Sequence, residues 1–222
     1  TCALPILKNV SLADVKDNYR TYFVPERAYL VVVGDIKTKD VKKNVEKLFG
    51  SWVKATAPRV SYSTPSNVQY TQINFVDMPN AVQSELTLLN TIDMKISNPD
   101  YFPLIVANQT YGGDFNSYLN MNLREKHGWT YGARSYVGQS KFGSSKFTGN
   151  AQVRNAVTDS SVVEALNELN RIRTEKVSEE TLKNVKAGYI GRFVMQVEKP
   201  ATVARYALNI ETEGLPADFY EN

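Results

Sequence analysis

Apolar positions recur at helical spacing over some stretches of the chain and at strand-like spacing over others, and the changes of spacing mark its elements. Ser11-Leu-Ala-Asp14 opens a predicted helix, with Ser11 as N-cap and Asp14 near the favourable end of the helix dipole. Pro25 interrupts it. Ala28–Val33 is then a continuous apolar run ending at Gly34-Asp35, the pattern of a strand buried on both faces. Thr38 caps a second predicted helix, in which Val41, Val45, Leu48 and Phe49 form one stripe and Gly50 is the stop. Residues 54–68 change character: Pro58 and Pro65 lie among small polar residues without a sustained period, which reads as a linker between domains.

Beyond the linker, Gln69–Asp77 alternates with Tyr70, Ile73 and Phe75 in a strand-like setting, Pro79-Asn80 makes a turn, and Val82–Asn90 is a second strand. Asn98-Pro99-Asp100 combines a cap, a first-turn proline and an acid, and starts a helix carrying Phe102, Ile105 and Val106 to Gly112-Gly113. Leu119 and Leu123 lie one turn apart on a short helix closed by Gly128. Thr130–Gln139 and Ser145–Val153 predict a hairpin around Phe142-Gly143. The rest is helical. Val162, Leu166, Leu169 and Ile172 share a face over Thr158–Lys176. Ser178 caps a helix whose Leu182, Val185, Tyr189 and Phe193 point inward, and Pro200 starts a last one ending near Gly214. Strands followed by long helices predict an α+β fold, with helices packed on one face of a largely antiparallel sheet.

Composition changes this picture little. The 222 residues are 42% hydrophobic and 22% charged, ordinary for a globular protein with room for one large domain or two small ones. The net charge of +3 comes from 26 basic and 23 acidic residues dispersed along the chain. There is no basic block with interleaved aromatics, so charge gives no reason to invoke nucleic acid. No stretch approaches the roughly 18 apolar residues of a membrane span. The single cysteine, Cys2, excludes an intramolecular disulfide and a Cys/His zinc knuckle. The chain opens on Thr, not Met, as expected of a processed product or a fragment.

The sole histidine, His127, cannot form a two-histidine metal site, and neither H-E-x-x-H nor H-x-x-E-H occurs. Its plainest role is to end a helix at the negative end of the dipole. Tyr111-Gly-Gly-Asp114 reads as a helix stop and turn, not as a phosphate cradle. One constellation stands out. Arg124 falls in the last turn of a helix, a glycine reversal follows, and Tyr131 heads the next strand, so a guanidinium and a phenol can face one space. Both donate hydrogen bonds suited to a carbonyl gaining negative charge. The same two residues also suit a dipole-favoured Arg and a packing Tyr, and the residues alone leave both readings open.

Leu123-Arg-Glu-Lys-His-Gly-Trp-Thr-Tyr131 resembles the L-R-E-K-x-G-x-x-Y signature of the insulinase/pitrilysin-type (inverzincin) zinc metallopeptidases. Ser11-Leu-Ala-Asp-Val15, Tyr22-Phe-Val-Pro25 and Val31-Val-Val-Gly-Asp35 resemble the block before that family's domain junction. Asn98-Pro-Asp-Tyr101, Tyr111-Gly-Gly113, Ser178-Glu-Glu-Thr-Leu182 and Gly214-Leu-Pro216 follow in family order. The resemblance implies two-layer α/β rolls. Residues 1–53 are then the terminal helix–strand–helix portion of a first peptidase-like domain, 54–68 the linker, and 69–222 the second domain. It implies that Arg124 and Tyr131 bind substrate peptide and stabilise the tetrahedral oxyanion. Zinc and its H-x-x-E-H ligands, upstream of Ser11 in the family pattern, are expected from an N-terminal domain or a partner subunit, and this chain alone is expected to be inactive.

The implied ligand is a peptide or unfolded polypeptide. The implied compartment is a bacterial periplasm or cell envelope, with the cytoplasm as the alternative. A non-catalytic partner or scaffold subunit of the same family, and an unrelated α+β interaction domain, are the competing readings. The family's second domain closes with a unit like 1–53 that is missing here. The strand expected at Ala28–Val33 is therefore expected to dock on the vacant edge of the second domain, within the chain or from a neighbouring copy in a homo-oligomer.

Overall fold

The computed structural model describes residues 7–221, so Cys2 lies outside the described residues. By contact the chain divides into two compact units, one of residues up to Ser61 together with those from Val197 onward, the other Tyr62–Gln196. The last helix groups by its contacts with the first of these units.

In the first unit, α1 (Leu12–Tyr22) begins on a complete capping box. The Asp14 amide donates to the Ser11 hydroxyl at 3.2 Å and the Ser11 amide donates to the Asp14 carboxylate at 2.7 Å, satisfying two otherwise orphaned donors. α2 (Thr38–Phe49) is capped at Lys37 without a side-chain bond, so Thr38 is its first helical residue and not its cap. Among the described residues the run Ala28–Val33 pairs with no strand, and Tyr29 through Val33 are exposed. The strand expected there is not formed. An apolar run defines only what a strand would bury; pairing needs a neighbour with free backbone groups in register. The later helix α7 (Pro200–Glu213), numbered in chain order, starts on its proline and ends at Gly214, whose φ of 65° is the left-handed C-terminal stop.

The second unit holds the core. Its three antiparallel strands, β1 (Gln83–Ile92), β2 (Thr130–Val137) and β3 (Ser145–Arg154), lie in the order β1-β3-β2. Gln69–Asp77, expected as a strand, forms none: Tyr70, Ile73 and Phe75 are all exposed. Alternation alone does not distinguish a paired strand from an extended surface segment. α3 (Tyr101–Asn108) starts later than expected because Asn98 first makes a turn, its side chain accepting the Asp100 amide at 2.9 Å. It continues as a π-helical turn over Gln109–Gly113. α4 (Tyr118–Asn120) likewise runs into a π-helical turn, Met121–Lys126. α5 (Thr158–Thr174) and α6 (Glu179–Val197) complete the helical layer.

One face of the sheet packs under these helices. Tyr111, Leu119 and Leu123 meet Ala133, Ala151 and Val153, with Ala165 from α5 and the half-buried Leu86, Leu88, Leu169 and Ile172 around them. Burying each large side chain of this set contributes roughly 1.5–3 kcal/mol. The opposite face, with Glu85, Thr87, Asn150, Gln152 and Arg134, is polar. This is an α+β roll with an antiparallel sheet and helices on one face.

On α5 the fully buried positions are Ser161, Ala165 and Glu168, one residue away from the expected apolar stripe. Small residues let the helix approach closely, and Glu168 is buried because it accepts the Asn122 amide at 2.7 Å. Tyr111 reaches the same helix, donating to the Ala165 carbonyl at 3.2 Å, and burial with the nearby Glu168 charge drives its phenol's pKa far upward.

The Gly112-Gly113 pair is a packing device. A Cβ on Gly112 would lie 2.6 Å from the Ser135 Oγ and 2.8 Å from the Ser135 backbone nitrogen, so glycine lets the helix touch β2. Gly112→Ala is expected to destabilise the protein by about 1–3 kcal/mol, read as a lowered denaturant midpoint. An unchanged midpoint would mean that the helix and strand separate freely.

Candidate active-site region of the sheet face

The polar sheet face owes its shape to one irregularity. Thr130 pairs with Val153 and Ala133 with Ala151, so Tyr131 and Gly132 together stand opposite Gln152 alone. This is a β-bulge. The Thr130 hydroxyl pins it, donating to the Gly132 carbonyl at 3.0 Å and accepting the Gly132 amide at 3.2 Å. Without the extra residue, Tyr131 and Arg134 would face opposite sides of the sheet, because side chains alternate along a strand. With it, both face outward: Tyr131 is 93% exposed and shares a shallow cavity of about 300 Å³ with Arg134, Glu85, Asn150 and Gln152.

Arg124 approaches from the helical side. It lies in the π-helical turn Met121–Lys126, and a reversal at Gly128, φ 63°, returns the chain into β2. The Gly128 amide donates to the Arg124 carbonyl at 2.9 Å and the Trp129 amide to the Leu123 carbonyl at 2.9 Å, closing the helix end. Wide turns of this kind recur at functional sites. The Arg124 guanidinium sits 4.7 Å from the Phe115 ring centre and 3.2 Å from the Glu125 carboxylate. Arg124 and Tyr131 are not hydrogen-bonded to one another. The Phe115 ring also has the Arg134 guanidinium 5.9 Å from its centre.

Two sets of contacts hold this arrangement, one centred on a buried asparagine and one an exposed ion pair, and the sequence pattern distinguishes neither. Asn120, fully buried, donates to the Phe115 carbonyl at 2.7 Å and accepts the Ala133 amide at 3.0 Å, tying the Phe115 loop to the strand just past the bulge. Asp114 accepts the Arg192 guanidinium of α6 at 2.7 Å, while Arg192 also donates to Gln109 at 3.0 Å. A buried Asn flanked by apolar residues was the only available signal for Asn120. Nothing local marks the Asp114–Arg192 pair, which spans 78 positions. Asn122 steadies the Arg124 turn from below through Glu164 and Glu168.

His127 stacks on Trp129 with ring centres 4.0 Å apart and lies 3.7 Å from the Glu164 carboxylate. Among the described residues no group of three or more His, Cys, Asp or Glu side chains could hold a metal ion, so the donor set here does not fit zinc. Among the same residues no helix is long and apolar enough to cross a membrane.

The family profile described as the peptidase M16 inactive domain matches residues 9–189, a span that includes the bulge, Phe115, Arg124 and Tyr131. The chain belongs to that family. As an M16 inactive-domain protein it is the insulinase-like second-domain region that the Leu123–Tyr131 signature pointed to, and the reading as an unrelated α+β domain falls.

Among curated relatives, the probable inactive metalloprotease YmfF of Bacillus subtilis is 23% identical over 129 residues, covering 58% of this chain and 30% of that protein. A peptidase M16 inactive domain from Pseudomonas fluorescens superposes with a TM-score of 0.84 at 20% identity, over 96% of this chain and 50% of that one. A protease from Helicobacter pylori gives 0.83 at 20%, over 96% and 52%. At these identities the two structures establish the shared fold. This M16 chain spans about half the length of those structural relatives and under a third of YmfF.

The Asp114 carboxyl is the pH-sensitive part of the clamp. Partial burial pushes its pKa up, but the Arg192 hydrogen bond and charge and the Phe115 and Asn116 amides outweigh burial, and the net pKa lies below the usual carboxylate value. A depressed folded pKa contributes stability that is complete above the unfolded value and lost as pH falls through the folded one. Asp114→Asn is therefore expected to lower stability at neutral pH and to reduce the wild type's further loss below about pH 4, measured by thermal unfolding across pH. Parallel pH profiles for the two proteins would overturn the clamp.

Proposed function

We propose that this domain holds the substrate polypeptide for a zinc-dependent endopeptidase whose metal site lies on an N-terminal domain of the parent protein or on a partner chain. The observation that carries the reading is the placement of Tyr131, turned outward by the bulge, almost wholly exposed, and sharing a cavity with Arg134, whose guanidinium lies at the same Phe115 ring as that of Arg124. An exposed phenol, and guanidinium groups that keep N–H donors beyond those directed at Glu125 and the Ala133 carbonyl, are suited to a peptide carbonyl and to the oxyanion it becomes. Arg124 and Tyr131 fill those roles, and the polar strands beside them offer an extended peptide a surface to lie on. The boundary at Ser61 falls inside residues 54–68, which supports their reading as the junction between a first-domain portion, residues 1–53, and the second domain, 69–222. Zinc is expected on the companion domain or chain.

A second reading has its own support. The family is described as inactive and YmfF as a probable inactive metalloprotease. On that reading the domain retains the peptide-holding surface in a non-catalytic partner or scaffold subunit.

The test assays peptide hydrolysis by the full-length parent, or by this chain reconstituted with its companion, for wild type, Arg124→Ala and Tyr131→Phe. Each substitution is expected to lower kcat/KM by about 10²–10³-fold without changing thermal stability, the scale of losing one oxyanion donor. Wild-type kcat/KM in both folded variants would remove the proposed role. A parent that binds peptide through Arg124 and Tyr131 but cleaves none is the scaffold.

A further inference from the structure

Arg134 was not distinguished by sequence, yet it lines the same cavity as Tyr131, between Phe115 and the polar strands. Its position has three features. It lies on the outward face, directly opposite Asn150 on β3. Its guanidinium donates to the neighbouring Ala133 carbonyl at 2.9 Å, which uses one of five N–H donors. Among the described residues it has no carboxylate at ion-pair distance, whereas the Arg124 charge is met by Glu125 at 3.2 Å. Arg134 is thus the uncompensated cation of the site.

Glu85 is the other charged residue on the cavity wall. It stands opposite Gln152, two residues along β3 and on the far side of that strand from Arg134. Strand spacing and rise put their Cα atoms roughly 12 Å apart. Among the described residues the two side chains form no ion pair, so the Glu85 carboxylate leaves the Arg134 fork open to another carboxylate. Asn150, whose carbonyl oxygen accepts the Thr87 hydroxyl at 3.1 Å, and Gln152 add neutral amides to the cavity wall, groups that can hydrogen-bond a peptide backbone without selecting charge.

We propose that Arg134 is a specificity-determining residue of this site, taking an acidic side chain of the bound peptide in the cavity beside Tyr131. The proposal rests on the peptide-holding reading above. Its physical basis is the fork of a guanidinium, which matches a carboxylate with two parallel charge-assisted hydrogen bonds. Phe115, half exposed and tied down through Asn120, limits where that fork can swing, so less conformational entropy is lost on binding.

The test measures equilibrium binding of the full chain to two fluorescein-labelled unstructured peptides, identical except that Asp and Glu in one are Asn and Gln in the other. Wild type is expected to bind the acidic peptide about tenfold more tightly, the scale of one hydrogen-bonded charge contact. Arg134→Gln is expected to erase the difference and Arg134→Glu to invert it toward a Lys-substituted peptide, while Glu85→Gln keeps the wild-type preference. Tyr131→Phe is expected to weaken both peptides alike. Equal binding of both peptides by wild type, or a preference that survives Arg134→Gln, overturns the role of Arg134 and leaves the peptide-holding reading standing. If wild type binds neither peptide, that reading fails and this inference fails with it.

Discussion

Tyr131 and Arg134 are three residues apart on one strand, a separation that in a regular strand sends side chains to opposite faces. One extra residue, Gly132, reverses that outcome, and the sheet face beside it takes its shape from this bulge. The break in the ladder is local and locally answered. The Thr130 hydroxyl satisfies both backbone groups of Gly132, and the Asn120 carbonyl oxygen receives the Ala133 amide where the ladder resumes. Because Asn120 also grips the Phe115 carbonyl, the same buried side chain fixes the strand and the aromatic ring at which Arg124 and Arg134 meet. A buried polar group with both ends paired specifies geometry more sharply than an apolar one of the same size, since either bond broken leaves an unpaired group in the core.

The core around this site is arranged to keep the sheet rigid from one side only. Helices meet the inner face through small residues, Gly112 against Ser135 and Ala165 near Tyr111, while the outer face keeps polar side chains that water also satisfies. A site built on the outer face of such a sheet needs no opening of the core to take a ligand. The first unit differs: no residue of α1 or α2 is buried, and its buried residues include Val24, Ala57, Thr202 and Leu215.

Local chemistry made much of the second unit legible in advance. The hairpin of β2 and β3, the helix stop at Gly128 and the half-buried stripe of α6 follow from residues within a few positions of one another, as do the Ser11 N-cap and the Gly214 stop of the first unit. The Arg124–Tyr131 signature was legible as a motif. The two expected strands at residues 28–33 and 69–77 were not decidable this way, because a strand is completed by hydrogen bonds to a distant segment, and apolar or alternating residues do not create that partner.

The sequence by itself determined the fold class, the family and helix ends such as those at Gly128 and Gly214, all of which rest on short-range periodicity, capping or a contiguous motif. Tertiary structure alone decided which way Tyr131 faces, that Arg134 joins it, and that Phe115, Asn120 and the Asp114–Arg192 pair hold the surroundings in place. The reason is the strict two-residue period of a strand. A single inserted residue inverts every assignment of face beyond it, and its presence is fixed by the register with β3, about twenty residues away in sequence.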